Sequence, residues 1–352
     1  MSVRDADTHK LAYHPEAVAN WKKTGESSPL HVEVGITNRC NHRCKFCTLN
    51  WITHGQSSIA KDVFLSALDD MGKMGVKSLY FAGEGEPTLH KDLPSFINRA
   101  KELGISSSIS SNGSLFTSDL AEGILGKLSW IRFSVDALNP KTYADIHGVK
   151  GSEINKVLLN IQKCVEIKRK NNFKVDIGTQ LILMPENISE VKDLALHLKD
   201  IGVDNFQVKP AHNHPKSSFS SDIYWFTQQG IKEDLERLQT TDFTVVIRMK
   251  SMERLLQKRT YKECYGFHFY GLIDARGDVV PCNMFYNNKE FIYGNINTES
   301  FKKIWTGEKK EKIIKKITSL NHSMCGEYRC RFDVMNRYLE RVKNPEINDE
   351  FI

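Results

Sequence analysis

A chain of 352 residues and 40.3 kDa has room for about two domains. Its 40% hydrophobic and 26% charged residues suit a globular protein rather than a disordered one, and no uncharged apolar run nears the ~18 residues of a membrane span. The net charge of +6 is too mild and dispersed for a nucleic-acid footprint, and the N-terminus lacks the basic-then-apolar pattern of a secretory signal, so a cytoplasmic address is expected.

Residues 1–30 are polar and read as an extension with little helix. From about residue 31 to 209, β-rich runs alternate with helical patterns, and the first domain is expected to run over residues 31–250. Strands are expected at His31–Ile36, Lys77–Ala82, Ile105–Ser111, Trp130–Val135, Lys174–Leu183 and Asn205–Lys209. Between them, Ile59, Val63, Ala67 and Met71 mark one helix face. Leu93, Phe96, Ile97, Ala100 and Leu103 mark another, capped by Gly104. This βαβα alternation predicts an α/β fold, a partial (β/α)6 TIM-like barrel, with its site on the βα loops at the C-terminal strand ends. Pro210–Asp222 reads as a loop over the barrel mouth, and Phe243–Arg248 as a further strand. Residues 251–345 form a second, small α+β unit. It opens with a hairpin of Phe267–Asp274 and Asp278–Val280, turning at Ala275-Arg276-Gly277. Phe301–Ile317 reads as one lysine-rich helix, either a solvated face or a dock for an acidic electron donor.

Eight cysteines in a reducing compartment point to metal ligation rather than disulfides. Cys164 follows Ile154, Val157, Leu158 and Ile161 at helical spacing and reads as a core thiol. The others cluster: Cys40, Cys44 and Cys47, then Cys264 and Cys282, then Cys325 and Cys330. The triplet directly follows the first strand. Three thiolates suit a 4Fe-4S cluster with one iron left open, and zinc is the alternative.

Cys40-Asn-His-Arg-Cys44-Lys-Phe-Cys47 after the first strand of a β/α barrel resembles the radical S-adenosylmethionine (SAM) superfamily. Gly83-Glu84-Gly85-Glu86-Pro87 on the second βα loop is similar to that family's glycine-glutamate-proline motif, with Glu84 where many members carry glycine. Ser111-Asn112-Gly113 and Ser134-Val135-Asp136 match the ends of strands three and four. The resemblance implies cofactor contacts from Phe46, Gly83, Gly85, Glu86, Pro87, Ser111, Asn112, Ser134 and Asp136. Turn or capping chemistry is the alternative role for Ser134 and Asp136. Relatives often carry an arginine near His147, which this chain lacks. Cys264, Gly277 and Cys282, with Tyr293-Gly294-Asn295-Ile296 and Ile304-Trp305, resemble the SPASM or shorter twitch extension. Cys325 and Cys330 complete four ligands for one auxiliary 4Fe-4S cluster, again with zinc as the alternative.

The resemblance implies reductive SAM cleavage and hydrogen abstraction from a small-molecule substrate, with flavodoxin or ferredoxin as electron donor. A closed auxiliary cluster favours two-electron oxidation of a sugar- or aminocyclitol-like alcohol to a ketone. Lys209, His212 and His214 are the candidate bases, although the two histidines also suit an exposed loop. Redox-neutral decarboxylation, dehydration or epimerisation, and peptide modification, are the alternatives within enzymes. The residues before the first strand are too few for a leader-binding domain, and no B12 domain fits. An iron–sulfur electron carrier is the alternative of another class.

Overall fold

The computed structural model describes residues 9–211, 213–222, 225, 230–318, 320, 325, 330–349 and 351. One sheet organises the chain. Its strands are β1 (His31–Val34), β2 (Ser78–Phe81), β3 (Ser106–Ser111), β4 (Leu128–Ser134), β5 (Asp176–Leu183), β6 (Asn205–Pro210), β7 (Thr244–Ile247), β8 (Tyr270–Ile273), β9 (Asp278–Val280) and β10 (Gly294–Asn295). Their order is β10-β9-β8-β1-β2-β3-β4-β5-β6-β7. The six expected barrel strands are consecutive and parallel. Two more parallel strands extend the run, β7 on β6 and β8 on β1. The C-terminal segment therefore continues the barrel sheet beside β1 before turning back in the antiparallel β8–β9 pair.

Helices α1 (Pro15–Thr24), α2 (Lys61–Lys73), α3 (Leu93–Glu102), α4 (Ser118–Ile124), α5 (Pro140–His147), α6 (Glu153–Lys170) and α7 (Val191–Ile201) precede β6. Phe64, Phe81, Phe96, Ile109, Phe133 and Leu181 are wholly buried in the core that α2–α7 build against the sheet. The α2 face is Phe64, Ala67, Leu68 and Met71, rotated from the expected set because Ile59 lies before the helix and does not share its phase. Cys164 is buried on α6 as expected.

Three expectations need correction. The N-terminal extension is not merely polar: α1 starts with Pro15 at its first turn, stops at Gly25 with φ +78°, and buries Val18 and Trp21. These pack on Tyr265, Phe269 and Leu339, partners that local periodicity cannot reveal. The first hairpin strand is shorter than expected, because residues Gly266–His268 form a helical turn. The lysine-rich stretch is two helices, Phe301–Trp305 and Glu308–Thr318. Its lysines are partly committed, with Lys310 buried over the Trp305 ring and Lys316 paired with Glu290 at 2.7 Å.

Candidate active site

The loop after β1 carries Cys40, Cys44 and Cys47, all half-buried. Backbone bonds fix it: Arg43 N–H to the His147 carbonyl at 2.8 Å, Lys45 N–H to the Ile146 carbonyl at 2.9 Å, and His54 N–H to the Asn38 carbonyl at 2.7 Å. The loop is thus pinned to the C-terminal end of α5. The three thiols line one wall of a cavity of about 740 Å³ at the barrel mouth, with Phe46, Gly83, Gly85, Glu86, Ser111, Asn112, Ser134 and Lys209. This size lies within the usual range of ligand sites.

Glu86 organises three loops at once. Its carboxylate accepts hydrogen bonds from Thr88 N–H (3.1 Å), Thr88 Oγ1 (2.7 Å), Ser111 Oγ (2.8 Å) and Asn112 N–H (2.7 Å). Asn112 Nδ2 then donates to Asn41 Oδ1 at 2.8 Å, inside the cysteine loop. Burial raises the Glu86 pKa, while these donors oppose the rise. Gly85 serves the same junction. A Cβ there would lie 2.4 Å from the Arg39 carbonyl oxygen and 2.5 Å from that of Thr37, and backbone cannot step aside cheaply. Gly85→Ala is therefore expected to displace the cysteine loop and destabilise the fold by roughly 2 kcal/mol. A lower melting temperature of the metal-free protein, with less iron taken up at the triplet, checks this.

Glu84 faces away from the thiols, toward the β8–β9 turn. It is 2% exposed, and burial, with Asp274 adding to it, pushes its pKa from 4.5 to about 8. The folded chain holds this proton where the unfolded chain has released it, so stability falls as pH rises from about 4.5 to about 8. Glu84→Gln cannot titrate and is expected to flatten that part of the curve of melting temperature against pH. An unchanged slope refutes the assignment.

Three expected site residues lie apart from the cavity lining. Pro87 is buried at the start of a helical turn. Asp136 is buried and accepts from Ile182 N–H at 2.5 Å, with its other oxygen 3.2 Å from His147 Nε2. The His147 ring brings Nδ1 to 3.3 Å from Cys44 Sγ. Asp136 lies just beyond the end of β4, and its carboxylate is taken up by Ile182 N–H and His147 behind the cysteine loop. His214 is also buried, stacked on Trp51 at 5.8 Å, with Nδ1 accepting from Lys216 N–H at 3.1 Å. Burial lowers its pKa, and its loop covers the cysteine loop through Ser217 Oγ to the Cys47 carbonyl at 3.3 Å. His212 lies outside the described residues. Lys209 does reach the cavity and donates to Gln180 Oε1, while Gln180 Nε2 donates to Ser134 Oγ at 2.9 Å.

A second cavity of about 50 Å³ is bounded by Cys264, Cys282, Cys325 and Cys330, among apolar neighbours such as Phe267, Phe332 and Ile317. Asn336, on the helix Asp333–Lys343, accepts from the N–H groups of Tyr265 and Gly266 and approaches Cys264 Sγ at 3.4 Å. In both cysteine groups burial is the main force against ionisation. It pushes Cys40 up to about 11, with Cys47 adding to the effect, and Cys330 up to about 12, with Cys264 and Cys325 adding. A metal centre among the thiolates offsets both penalties. The donor sets, three thiols beside an open cavity and four around a closed one, fit an open and a fully ligated iron–sulfur cluster. His42, Cys44 and His147 also bring donor atoms within 4.8 Å of one another, but that set leaves Cys40 and Cys47 out.

Residues 34–198 match the Radical SAM superfamily, and residues 243–331 match SPASM, an iron-sulfur cluster-binding domain. The chain is a radical SAM enzyme with a SPASM domain. Among curated proteins it is 26% identical over 297 residues to the tungsten-containing aldehyde ferredoxin oxidoreductase cofactor-modifying protein of Pyrococcus furiosus, covering 78% of this chain and 80% of that one. It is 25% identical over 180 residues to an S-adenosylmethionine-dependent nucleotide dehydratase of Selenomonas ruminantium, covering 50% and 64%. Among solved structures, SuiB of Streptococcus suis superposes with a TM-score of 0.69 at 17% identity over 91% of this chain and 76% of that one. That likeness is one of fold.

The radical SAM domain implies SAM and a 4Fe-4S cluster, and the SPASM domain implies auxiliary iron–sulfur binding. No helix among the described residues is long and apolar enough to cross a membrane. The sequence reading missed the basic wall of the larger cavity: Arg132, Arg248, Arg254, Arg259 and Arg331. Only Arg132 left a local signal, as a charge at alternate spacing with Trp130 and Ser134 in a strand whose intervening Ile131 and Phe133 are core.

Proposed function

We propose that this radical SAM enzyme takes a hydrogen atom from a small sugar- or cyclitol-like alcohol and oxidises it by two electrons to a ketone. The observation that supports this reading is the junction between the cavities: Arg259, Asn283, Cys330 and Arg331 line both. A substrate in the larger cavity therefore lies beside the four-cysteine chamber. When bound, SAM with its cluster supplies the hydrogen-abstracting radical, and the auxiliary centre supplies an acceptor for the substrate's second electron. The protein's own part is positional. Glu86 and Asn112 fix the cysteine loop against the second and third βα loops, and Gln180 orients Lys209 toward the cavity. In this reading Lys209 takes the hydroxyl proton, so the alcohol loses one hydrogen atom, one proton and one electron. Four thiolates leave the auxiliary centre no open position for substrate, which favours electron transfer over coordination.

A flavodoxin- or ferredoxin-type donor would supply the first electron. A redox-neutral dehydration is the second reading, supported by the likeness to the nucleotide dehydratase; SuiB, also solved with its precursor peptide SuiA, makes peptide modification the third. An iron–sulfur carrier, which cleaves no SAM, is the reading of another class. The test is reductant consumed per product under anaerobic turnover. Two-electron oxidation returns an electron, so a priming amount of reductant supports many turnovers. Consumption of reductant in step with product overturns the oxidation reading.

A further inference from the structure

Two histidines that the radical chemistry does not use meet beside the cysteine triplet. His42 sits in the loop between Cys40 and Cys44, and His147 ends α5; they are 1% and 0% exposed. Their Nδ1 atoms face each other at 3.4 Å, and His147 Nδ1 is also 3.3 Å from Cys44 Sγ. The arrangement is held from both sides. Arg43 N–H and Lys45 N–H bond to the carbonyls of His147 and Ile146. The His147 ring is stacked on Tyr143 with centroids 4.1 Å apart.

The carboxylate of Asp136 assigns the ring proton of His147. Its Oδ2 lies 3.2 Å from Nε2, so the proton belongs on that nitrogen and Nδ1 keeps a lone pair turned toward Cys44 and His42. A carboxylate behind a histidine is the usual way of orienting a metal ligand. The spacing agrees. Tetrahedral zinc, with Zn–N about 2.0–2.1 Å and Zn–S about 2.3 Å, sets its ligands roughly 3.3–3.6 Å apart. Both measured separations fall in that range, and the three donor atoms all lie within 4.8 Å of one another. All three residues line the larger cavity, which leaves a fourth position for water.

We propose that His42, Cys44 and His147 bind one divalent transition-metal ion in the cluster-free chain, and that this ion and the triplet's cluster exclude each other. Two imidazoles and one thiolate select zinc or a similar late transition metal over magnesium or calcium, which take oxygen ligands. Binding releases the Cys44 thiol proton to solvent. The exclusion follows from the shared ligand: Cys44 serves either the single ion, with the histidines, or the cluster, with Cys40 and Cys47. The proposal does not depend on which substrate the enzyme oxidises.

The test titrates zinc into the full, iron-free, reduced chain under anaerobic conditions, against a chromophoric chelator. The four-cysteine chamber is present in every sample, so the readout is a difference between variants. Wild type is expected to bind one ion more than His42→Ala, His147→Ala or Cys44→Ala. The double variant Cys40→Ala/Cys47→Ala should bind as many ions as wild type, because both histidines and Cys44 remain. Asp136→Asn should weaken the ion roughly ten-fold or more, through the orientation of His147. After reconstitution with iron and sulfide, the difference between wild type and the histidine variants should vanish, since the cluster then holds Cys44. Three results overturn the proposal. They are equal ion counts in wild type and both histidine variants, an ion lost in Cys40→Ala/Cys47→Ala, and a difference that persists in the reconstituted chain. In the second case the three thiols bind zinc without the histidines. The cysteine double variant leaves both histidines intact, so it decides the matter even where a histidine variant fails to fold.

Discussion

Replacing any one of Cys40, Cys44 and Cys47 by alanine abolishes 5′-deoxyadenosine formation while the C-terminal cysteine group keeps its iron. The triplet supplies only three thiols to a centre that must also leave one iron open, so it has no ligand to spare. His42 is a poor substitute. It is buried, and burial, with nearby His147 and Lys156 adding to it, lowers its pKa to about 3, but its Nδ1 already faces His147 Nδ1 at 3.4 Å. The four-cysteine chamber is built from other elements: the segments around β8 and β9 and the helix from Asp333. About four of about eight irons should therefore be lost if both centres are cubanes. Iron analysis and a SAM-cleavage assay on the same sample check this. Wild-type 5′-deoxyadenosine in any of the three variants removes the assignment of the triplet.

The parts of this site that were legible in the sequence are those fixed by short-range chemistry. Ligand spacing binds Cys40, Cys44 and Cys47 to one loop, and close backbone packing restricts Gly85 to a residue without a side chain. Strand positions were legible because β1 to β6 are bracketed by helices of clear period. Lys209 followed from its place at the end of β6. The rest depends on which segments meet in space. Val18 and Trp21 mark α1 as a packed helix only once Tyr265 and Leu339 are placed against it. β8 joins β1 in parallel, a pairing across most of the chain that no local pattern encodes. Arg248, Arg254, Arg259 and Arg331 come from separate turns after the sixth strand, and each alone reads as a surface charge. His214 shows the opposite case. A polar loop over a barrel mouth suggests exposure, but the ring is buried and stacked on Trp51, and its Nδ1 accepts from Lys216 N–H.

The paired substitution Cys282→Ala and Cys330→Ala separates the readings of the reaction. Cys282 and Cys330 line the same chamber as Cys264 and Cys325, and Cys330 also lines the larger cavity. Removing both leaves two thiols, too few for a fully ligated cubane. The triplet, its pinning to α5 and the Glu86 network are untouched, so SAM cleavage should continue. Hydrogen abstraction then produces a substrate radical with no nearby acceptor, and ketone should fall by roughly ten-fold or more relative to 5′-deoxyadenosine. A purely structural role predicts otherwise. The chamber packs on Phe267 and Phe332, and Glu33 ties β1 to Arg331 directly after Cys330. Collapse of this corner would lower product and 5′-deoxyadenosine together, with a lower melting temperature. The ratio of product to 5′-deoxyadenosine, read beside a melting curve, distinguishes the two. A folded double variant that turns over substrate at the wild-type ratio shows that the electron does not leave through these cysteines, and the redox-neutral reading then takes the place of the oxidation.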